Sequence, residues 1–465
     1  MTAKVTGPGA KVSRRRFVQA VAATGLAIVP LSTAKSGAGA LQALTVPQAS
    51  TAQRPPNAPK PSGLVYADNT LGDDGIVMNP AVAAFNATEG VRATIVELGD
   101  AEYLQKVLAY YAAGQQMDTI YVRDAFLASW AESGLIQPIT KFPGLEGYLR
   151  DATEMARGGI QYKGNVWGLP QQGDVLVIYY HEGNFKKAGL VTPPRTWDEL
   201  VQQCQRAQKA GFTYPMVWAA GQGDTHLPWQ WYGQVWSRGA PLFEPDGTPK
   251  MGKGSVARET LQWWRDTFQT SKISDPRSAE LRYIPHGKAF MTGKYVFGGL
   301  SFYYFMKPLN DPAQSPIAGQ VKPFTMPGNG KTIGYMRSIG MAGGTKYREW
   351  AYELQQWFAG KRPNGRYETP KRMTSQLGYV PTYKQLFDDP EVRAVWNRFL
   401  SFDQMKKTVE AAVHYSKAVS IVYEPWFPEW QNEVNVQLQN CILGKTSADS
   451  ACDAMAAKAV ELRKK

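Results

Sequence analysis

The sequence feature that most constrains the fold is a continuous stretch near the middle of the chain, residues 164–200. Five of the six residues from Val175 to Tyr180 are β-branched or aromatic, which predicts a buried β-strand. The pair Pro193-Pro194 then ends regular structure. Thr196 and Glu199 follow with the T-x-x-E spacing of a capping box, so a helix is expected to begin directly after Thr196. The stretch therefore predicts a strand and, after a proline stop, a capped helix.

The chain before this stretch alternates between strand and helix patterns. Strands are expected at 64–66, 91–98 and 118–122. Between the first two, Asn79-Pro80 predicts a helix start, with proline at the first helical position. Before the third, apolar residues recur at spacings of three and four until Gly114, as in an amphipathic helix. This alternation predicts an α/β lobe with a largely parallel sheet.

The order of motifs in residues 164–200 resembles bacterial extracellular solute-binding proteins of the sugar ABC importers. These motifs are G-x-x-W-G-L-P, an apolar strand ending in Tyr-Tyr, F-K-x-A-G-L and P-P-x-T-W-D-E-L. Residues 290–297, FMTGKYVF, are similar to a second segment of that family, with Val-Phe where the family has Ala-Met. The resemblance implies an α/β, two-lobe periplasmic-binding-protein fold of type II. Its lobes are discontinuous in the chain, three crossings form the hinge, and the ligand lies in the cleft between the lobes.

Composition and resemblance together predict the domain limits. Residues 13–19, SRRRFVQ, precede an apolar run and a small-residue site at 38–40, and they resemble a twin-arginine export signal. The next segment is rich in proline, alanine and glutamine and predicts a flexible linker. We expect a signal peptide at 1–40, a linker at 41–61, lobe 1 at 62–173 plus 341–379, lobe 2 at 176–335 plus 383–465, and crossings near 173–176, 335–341 and 379–382.

The charge of the chain does not indicate nucleic-acid binding. Residues 1–40 hold six basic and no acidic side chains, so removing them lowers the formal net charge from +13 to +7. Later basic residues alternate with acids, which is typical of a solvated surface. No apolar run reaches the ~20 residues of a membrane span. Since the first cysteine is Cys204, we expect no lipid anchor and predict a soluble, monomeric protein in the periplasm.

The resemblance places polar ligand-binding candidates at Asp68 or Asn69, Asp124 and Asp174. Carboxylates suit a sugar because they accept bidentate hydrogen bonds from adjacent hydroxyl groups. Each acid is equally consistent with a solvated loop residue or a helix cap. Residues 214–243 are unusually aromatic, and aromatic faces pack against the C–H faces of sugar rings, although many of these rings are expected in the core. The remaining candidates are Asp224, His226, Trp229, Phe302, Tyr303, Trp426 and Trp430.

The resemblance implies that the protein captures a carbohydrate, namely a sugar, oligosaccharide or glycoside, and delivers it to the membrane permease of an ABC importer. No catalytic residue, metal or cofactor is expected. Two alternatives stay open. A secreted carbohydrate-active enzyme would need a pair of spaced carboxylates, which sequence alone does not exclude, although no G-x-S-x-G motif is present. A binding protein for a polyamine or ferric ion is the other alternative.

The cysteines of the C-terminal region suggest a disulfide. Cys441 and Cys452 flank Gly444, where one helix is expected to end and the next to begin, so their side chains can face each other in a helical hairpin. An oxidising periplasm permits such a bond. The alternative is two buried thiols packed as small apolar residues. Cys204 is expected to stay free on an apolar helix face.

Overall fold

The computed structural model describes residues 57–69, 74–99, 103–222, 226–302, 305–324 and 326–464. The predicted signal peptide and most of the predicted linker lie outside these residues. Within the described ranges, no helix combines the length and the hydropathy that crossing a membrane requires.

The structure is a mixed α/β protein. Its described strands are β1 (Leu64–Asp68), β2 (Ala93–Glu97), β3 (Thr119–Arg123), β4 (Ile136–Gln137), β5 (Gln161–Tyr162), β6 (Asn165–Val166), β7 (Gly168–His181), β8 (Met216–Val217), β9 (Phe297–Phe302), β10 (Val321–Phe324), β11 (Thr332–Ala342) and β12 (Ala412–His414).

Helices surround these strands. The described α-helices are α1 (Gly75–Glu89), α2 (Tyr103–Ala112), α3 (Asp124–Glu132), α4 (Leu145–Asp151), α5 (Glu154–Gly158), α6 (Glu182–Lys187), α7 (Trp197–Lys209), α8 (His226–Ser237), α9 (Val256–Gln269), α10 (Tyr283–Met291), α11 (Met306–Asn310), α12 (Arg348–Ala359), α13 (Glu368–Arg372), α14 (Pro390–Phe399), α15 (Phe402–Ala411), α16 (Phe427–Ile442) and α17 (Ala448–Leu462). Short 3₁₀ turns and one π-helical segment, Met373–Leu377, connect some of them.

Seven of the described strands lie side by side in the order β2-β1-β3-β11-β7-β9-β8, while β4 and β12 pair with β11, β10 pairs with β7, and β5 and β6 form a separate pair. β1 pairs in parallel with both β2 and β3, as the alternating sequence pattern predicts. β11 lies between β3 and β7 and is antiparallel to both, so it joins the parallel strands β1–β3 to the rest of the sheet. The hydrophobic core lies between the sheet and the helices on its faces.

Two long strands connect the two halves of the molecule. The first part of β7, residues 168–175, pairs with β11, whereas residues 176–181 pair with β9 and β10. We call the β1–β3 side the first lobe and the β8–β10 side the second lobe. Val380 forms an isolated antiparallel bridge with Gly173, so the chain returns to this junction a third time.

The predicted N-cap at Thr196 is confirmed, while Glu199 binds the backbone amide one residue before the cap. Thr196 Oγ1 accepts a hydrogen bond from the Glu199 amide at 3.1 Å, and the Arg195 amide donates to Glu199 Oε2 at 2.6 Å. An N-cap of this kind stabilises a helix by about 1 kcal/mol. The helix then buries Trp197, Leu200, Cys204 and Ala207 on one face.

The predicted start of the first helix is wrong. α1 begins at Gly75, so Pro80 lies inside the helix instead of at its first position. A proline there removes one backbone hydrogen bond. Val77 and Met78, which precede the proline, are fully buried, and their packing against the core favours the longer helix.

The cysteine pair lies in the C-terminal hairpin formed by α16 and α17. The structure holds Cys441 and Cys452 as free thiols in place of the expected bridge, both buried in the helix interface. Burial raises the pKa of each thiol to about 12, and the charge of Cys441 contributes to the shift at Cys452. The bridge stays a prediction. Thiol counting on the unreduced, denatured protein tests it: one free thiol supports the pairing, and three contradict it.

Candidate functional site

Polar residues meet where the first-lobe strands end. Asp68 is the last residue of β1 and Asn69 follows it, while Arg123 ends β3 and Asp124 begins α3. Because the carboxyl ends of parallel strands lie at one edge of a sheet, these residues from distant parts of the chain become neighbours. This edge faces the junction at which the lobes connect through β7 and β11.

The polar edge is buried and hydrogen-bonded. Tyr66 donates its hydroxyl to Asp68 Oδ1 at 2.7 Å, and Asp68 is 4% exposed. Burial raises the pKa of Asp68 to about 7; the Tyr66 hydrogen bond opposes this shift and the nearby Asp74 adds to it. Arg123 Nη2 donates to Asn69 Oδ1 at 2.8 Å, and Asn69 Nδ2 donates to the Gly99 carbonyl at 3.3 Å. Both the oxygen and the nitrogen of the Asn69 side-chain amide are therefore hydrogen-bonded, which fixes its orientation.

Arg337 connects the first lobe to the junction. It is 5% exposed on β11, directly opposite Arg123 on β3. Its guanidinium carbon lies 4.8 Å from the ring centroid of Tyr335 and 5.9 Å from that of Tyr121, within cation–π range. Gln172 Nε2 donates to the Tyr121 hydroxyl at 3.2 Å. A guanidinium, an amide and two phenols thus lie together on one face of β3, β11 and β7.

The second lobe contributes aromatic rings to the same region. Trp229 on α8 stacks on Tyr335, with ring centroids 4.8 Å apart and an interplanar angle of 23°. At the start of α8, His226 stacks on Tyr283 at 4.3 Å and 11°. Tyr283 in turn packs against Phe305 at 4.4 Å. Through Tyr335, the aromatic rings of the second lobe connect to Arg337 and to the polar edge.

Asp174 lies at the junction itself. It pairs with Tyr335 in the β7–β11 register and is fully buried, and its Oδ1 accepts a hydrogen bond from the Val175 amide at 2.8 Å. Its charge is also among the causes that raise the pKa of Tyr335, after burial itself. The structure therefore places this predicted residue beside the Trp229–Tyr335 stack.

Asp124 has a different environment from the one expected for a ligand contact. Its Oδ2 accepts the Met336 amide at 2.6 Å and lies 3.0 Å from His414 Nε2. Its Oδ1 accepts the Ala125 amide at 2.8 Å and the Tyr415 hydroxyl at 3.3 Å. With both of its oxygens hydrogen-bonded to protein groups, Asp124 holds α3 to β11 and β12.

The C-terminal tryptophans also differ from the expectation. Trp430 is fully buried, stacks on Tyr232 at 6.1 Å and donates its indole N–H to the Met455 carbonyl at 2.9 Å, so it packs as a core residue. Trp426 is half-buried at the start of α16 and packs against the same core. Neither joins the Trp229–Tyr335 stack through a described ring contact.

Asp224 and Tyr303 lie outside the described residues. The backbone of Phe302 ends β9 and pairs with Leu176 on β7, close to the junction.

Sequence reasoning missed Tyr121, Gln172, Tyr283, Tyr335 and Arg337. One signal was present for the last of these, since Arg337 interrupts the otherwise uncharged strand TIGYMRSIGMA, in which every residue is buried. A buried arginine is rare unless it is paired or functional. Tyrosines carry no comparable signal, because most tyrosines in a chain of this size pack in the core.

The combined chemistry is suited to binding a polyhydroxylated molecule. Carboxylate, amide and guanidinium groups provide directional donors and acceptors, and the rings provide apolar faces for C–H groups. Among the residues that the structure describes, no group of three or more His, Cys, Asp or Glu side chains is arranged to hold a metal ion.

Comparisons with known proteins identify the family and the fold of the chain. A model of the family described as bacterial extracellular solute-binding protein matches residues 68–362. The maltotriose-binding protein of Pyrococcus abyssi is 23% identical over 300 residues, covering 60% of this chain and 58% of that protein. Maltose-bound MalE3 of T. maritima superposes with a TM-score of 0.75 at 18% identity, covering 86% and 99% of the two chains. An ABC transporter solute-binding protein from Agrobacterium vitis S4 with bound D-mannitol gives a TM-score of 0.69 at 21% identity, covering 86% and 98%.

Proposed function

Since the chain belongs to the bacterial extracellular solute-binding protein family, we propose that it captures a carbohydrate outside the cytoplasmic membrane and delivers it to the permease of an ABC importer. The family consists of binding proteins, and the proposed role requires no bond to be broken. Its fold is the two-lobe type II fold of the maltose-binding relatives.

One observation carries this proposal: a polar edge and an aromatic group from different lobes meet at Arg337 and Tyr335. Asp68, Asn69 and Arg123 supply charged and polar groups to bind hydroxyls. Trp229 supplies the ring surface that a pyranose or a polyol chain packs against. Relatives with maltotriose, maltose and D-mannitol in their names support a polyhydroxylated ligand for this chain as well.

We further propose that binding closes the cleft. Asp68, Asp174, Trp229 and Arg337 are each at least nine-tenths buried, so a ligand reaches them only when the lobes separate. Closure then adds contacts from both lobes that neither lobe makes alone, which shifts an open–closed equilibrium toward the closed form. The moving units are expected to be residues 62–173 plus 341–379 and residues 176–335 plus 383–465.

We also propose that the protein is exported. A twin-arginine-type signal at residues 1–40 fits a mature monomer that works in the periplasm and meets its permease there. The proposed partners are a small carbohydrate and that permease.

A thermal-shift screen of the mature protein tests the ligand class. The panel contains maltose, maltotriose, D-mannitol, a β-linked disaccharide and a uronic acid, with spermidine and ferric citrate as non-sugar arms. We expect at least one sugar or polyol to raise the melting temperature, because a ligand that binds only the folded state stabilises it. A shift with spermidine or iron and none with any sugar would overturn the carbohydrate assignment. Recovering the oligosaccharides uncleaved separates binding from hydrolysis, whereas cleaved products would contradict the binding role.

A further inference from the structure

Lys307 makes a contact between the lobes two residues after Phe305, beside the aromatic rings of the candidate ligand site. It belongs to α11, which packs against β10, and β10 pairs with residues 178–181 of β7 in the second lobe. Its ammonium group reaches the end of the π-helical segment Met373–Leu377. That segment continues from α13, which packs against α1 and α12 in the first lobe.

The contact consists of charge-assisted hydrogen bonds. Lys307 Nζ donates to the Ser375 carbonyl at 3.1 Å and also to the Gln376 carbonyl. Both carbonyls belong to the last turn of a helical run, where the helix dipole is negative and favours a cation. The run ends at Gly378, whose φ of 93° only glycine adopts readily. The acceptors are backbone atoms, so their position depends on this helix end.

Because Lys307 is partly buried, its ammonium group depends on the hydrogen bonds of this contact. This burial lowers the pKa of the ammonium group, with Asp311 nearby opposing the change. A partly buried ammonium is costly unless hydrogen bonds replace its water. Both carbonyl partners belong to the other lobe, so separation of the lobes removes them.

We propose that Lys307 is a cleft clasp, a positioning residue that stabilises the closed arrangement of the lobes and so determines how slowly ligand is released without touching the ligand. This inference rests on the proposed function. A residue that stabilises the closed form slows its reopening, and bound ligand leaves only when the lobes separate. The contact therefore acts mainly on the dissociation rate.

The test compares three variants with the wild type. Lys307→Met removes the charge and keeps an unbranched apolar side chain. Lys307→Arg keeps a cation at the clasp. Lys294→Met, which removes an exposed lysine of the second lobe, is the control. Stopped-flow fluorescence with a sugar identified in the thermal-shift screen gives association and dissociation rates. We expect K307M to dissociate about ten-fold faster at an association rate no lower than that of the wild type, K294M to match the wild type, and K307R to recover most of the loss.

Small-angle scattering without ligand tests the clasp independently of any sugar. K307M is expected to have a larger radius of gyration than the wild type and K294M, while its thermal unfolding stays close to theirs. A dissociation rate and a ligand-free profile that both equal the wild type would overturn the clasp. Failure of every sugar to bind would instead overturn the proposed function, and the ligand-free scattering would still decide whether Lys307 stabilises the closed form.

Discussion

The two sides of the cleft are built from different chemistry. The first lobe presents hydrogen-bonding groups at strand ends, with Asp68 bonded to Tyr66 and Asn69 bonded to Arg123. The second lobe presents stacked rings, including the His226–Tyr283 pair. Hydrogen bonds depend on direction, whereas ring packing tolerates variation in ligand shape. We therefore expect the first lobe to select which hydroxyls are recognised and the second lobe to supply affinity that many sugars share.

Asp124 is an exception among the first-lobe polar residues, because its carboxylate is hydrogen-bonded to protein groups. We expect Asp124→Ala to lower the free energy of unfolding by roughly 3–5 kcal/mol, because His414, Tyr415 and the Met336 amide would lose a buried acceptor. Chemical denaturation measures this effect, with the exposed Asp246→Ala as the control. An unchanged stability combined with a large loss of sugar affinity would restore Asp124 to the ligand site.

A titration signature is expected on the polar side. Burial raises the folded-state pKa of Asp68 to about 7 from an ordinary 3.8. Between these values the folded protein keeps a proton that the unfolded chain has lost, so the unfolding free energy falls as pH rises from about 4 to 7. A shift of this size corresponds to at most about 4 kcal/mol.

The Asp68→Asn variant tests this signature. It should match the wild type near pH 4 and be more stable than the wild type near pH 8, as measured by denaturation at both pH values. Equal pH slopes for the variant and the wild type would show that Asp68 does not titrate in this window.

The aromatic side has a matched pair of tryptophans. Trp229→Phe replaces the indole of the Trp229–Tyr335 stack by a smaller phenyl ring. Because less ring surface is left for a sugar, we expect the affinity to fall about ten-fold, or ~1.4 kcal/mol. Trp430→Phe removes a core indole that bonds to the Met455 carbonyl, so it should lower the melting temperature and leave affinity within about two-fold. Calorimetric titration measures the sugar affinity of both variants. A large loss of affinity in Trp430→Phe and none in Trp229→Phe would exchange the roles of the two residues.

Local interactions explain which features the sequence predicted. The capping box joins Thr196 to Glu199 within one turn, and the parallel strands follow from short alternating segments. His226 and Trp229 were identifiable because they lie close together in an aromatic stretch. The two-lobe fold was predicted through the order of motifs around β7.

Long-range pairing explains what was missed. Arg337 contacts the ring of Tyr121 only because β11 returns to lie against β3, and no local pattern encodes that register. The partners of Asp124 come from β11 and from the segment after β12, both distant in the chain. The early start of α1 depends on packing of Val77 that outweighs the proline signal. Each of these depends on tertiary contacts rather than on residue type.

Small-angle scattering of the mature wild-type protein, with and without a sugar that binds, shows whether the two lobes close around a ligand. If the polar and aromatic sides close on a carbohydrate, the radius of gyration falls on saturation and returns when the sugar is dialysed away. An unchanged scattering profile at proven saturation would contradict closure of the two lobes around the ligand.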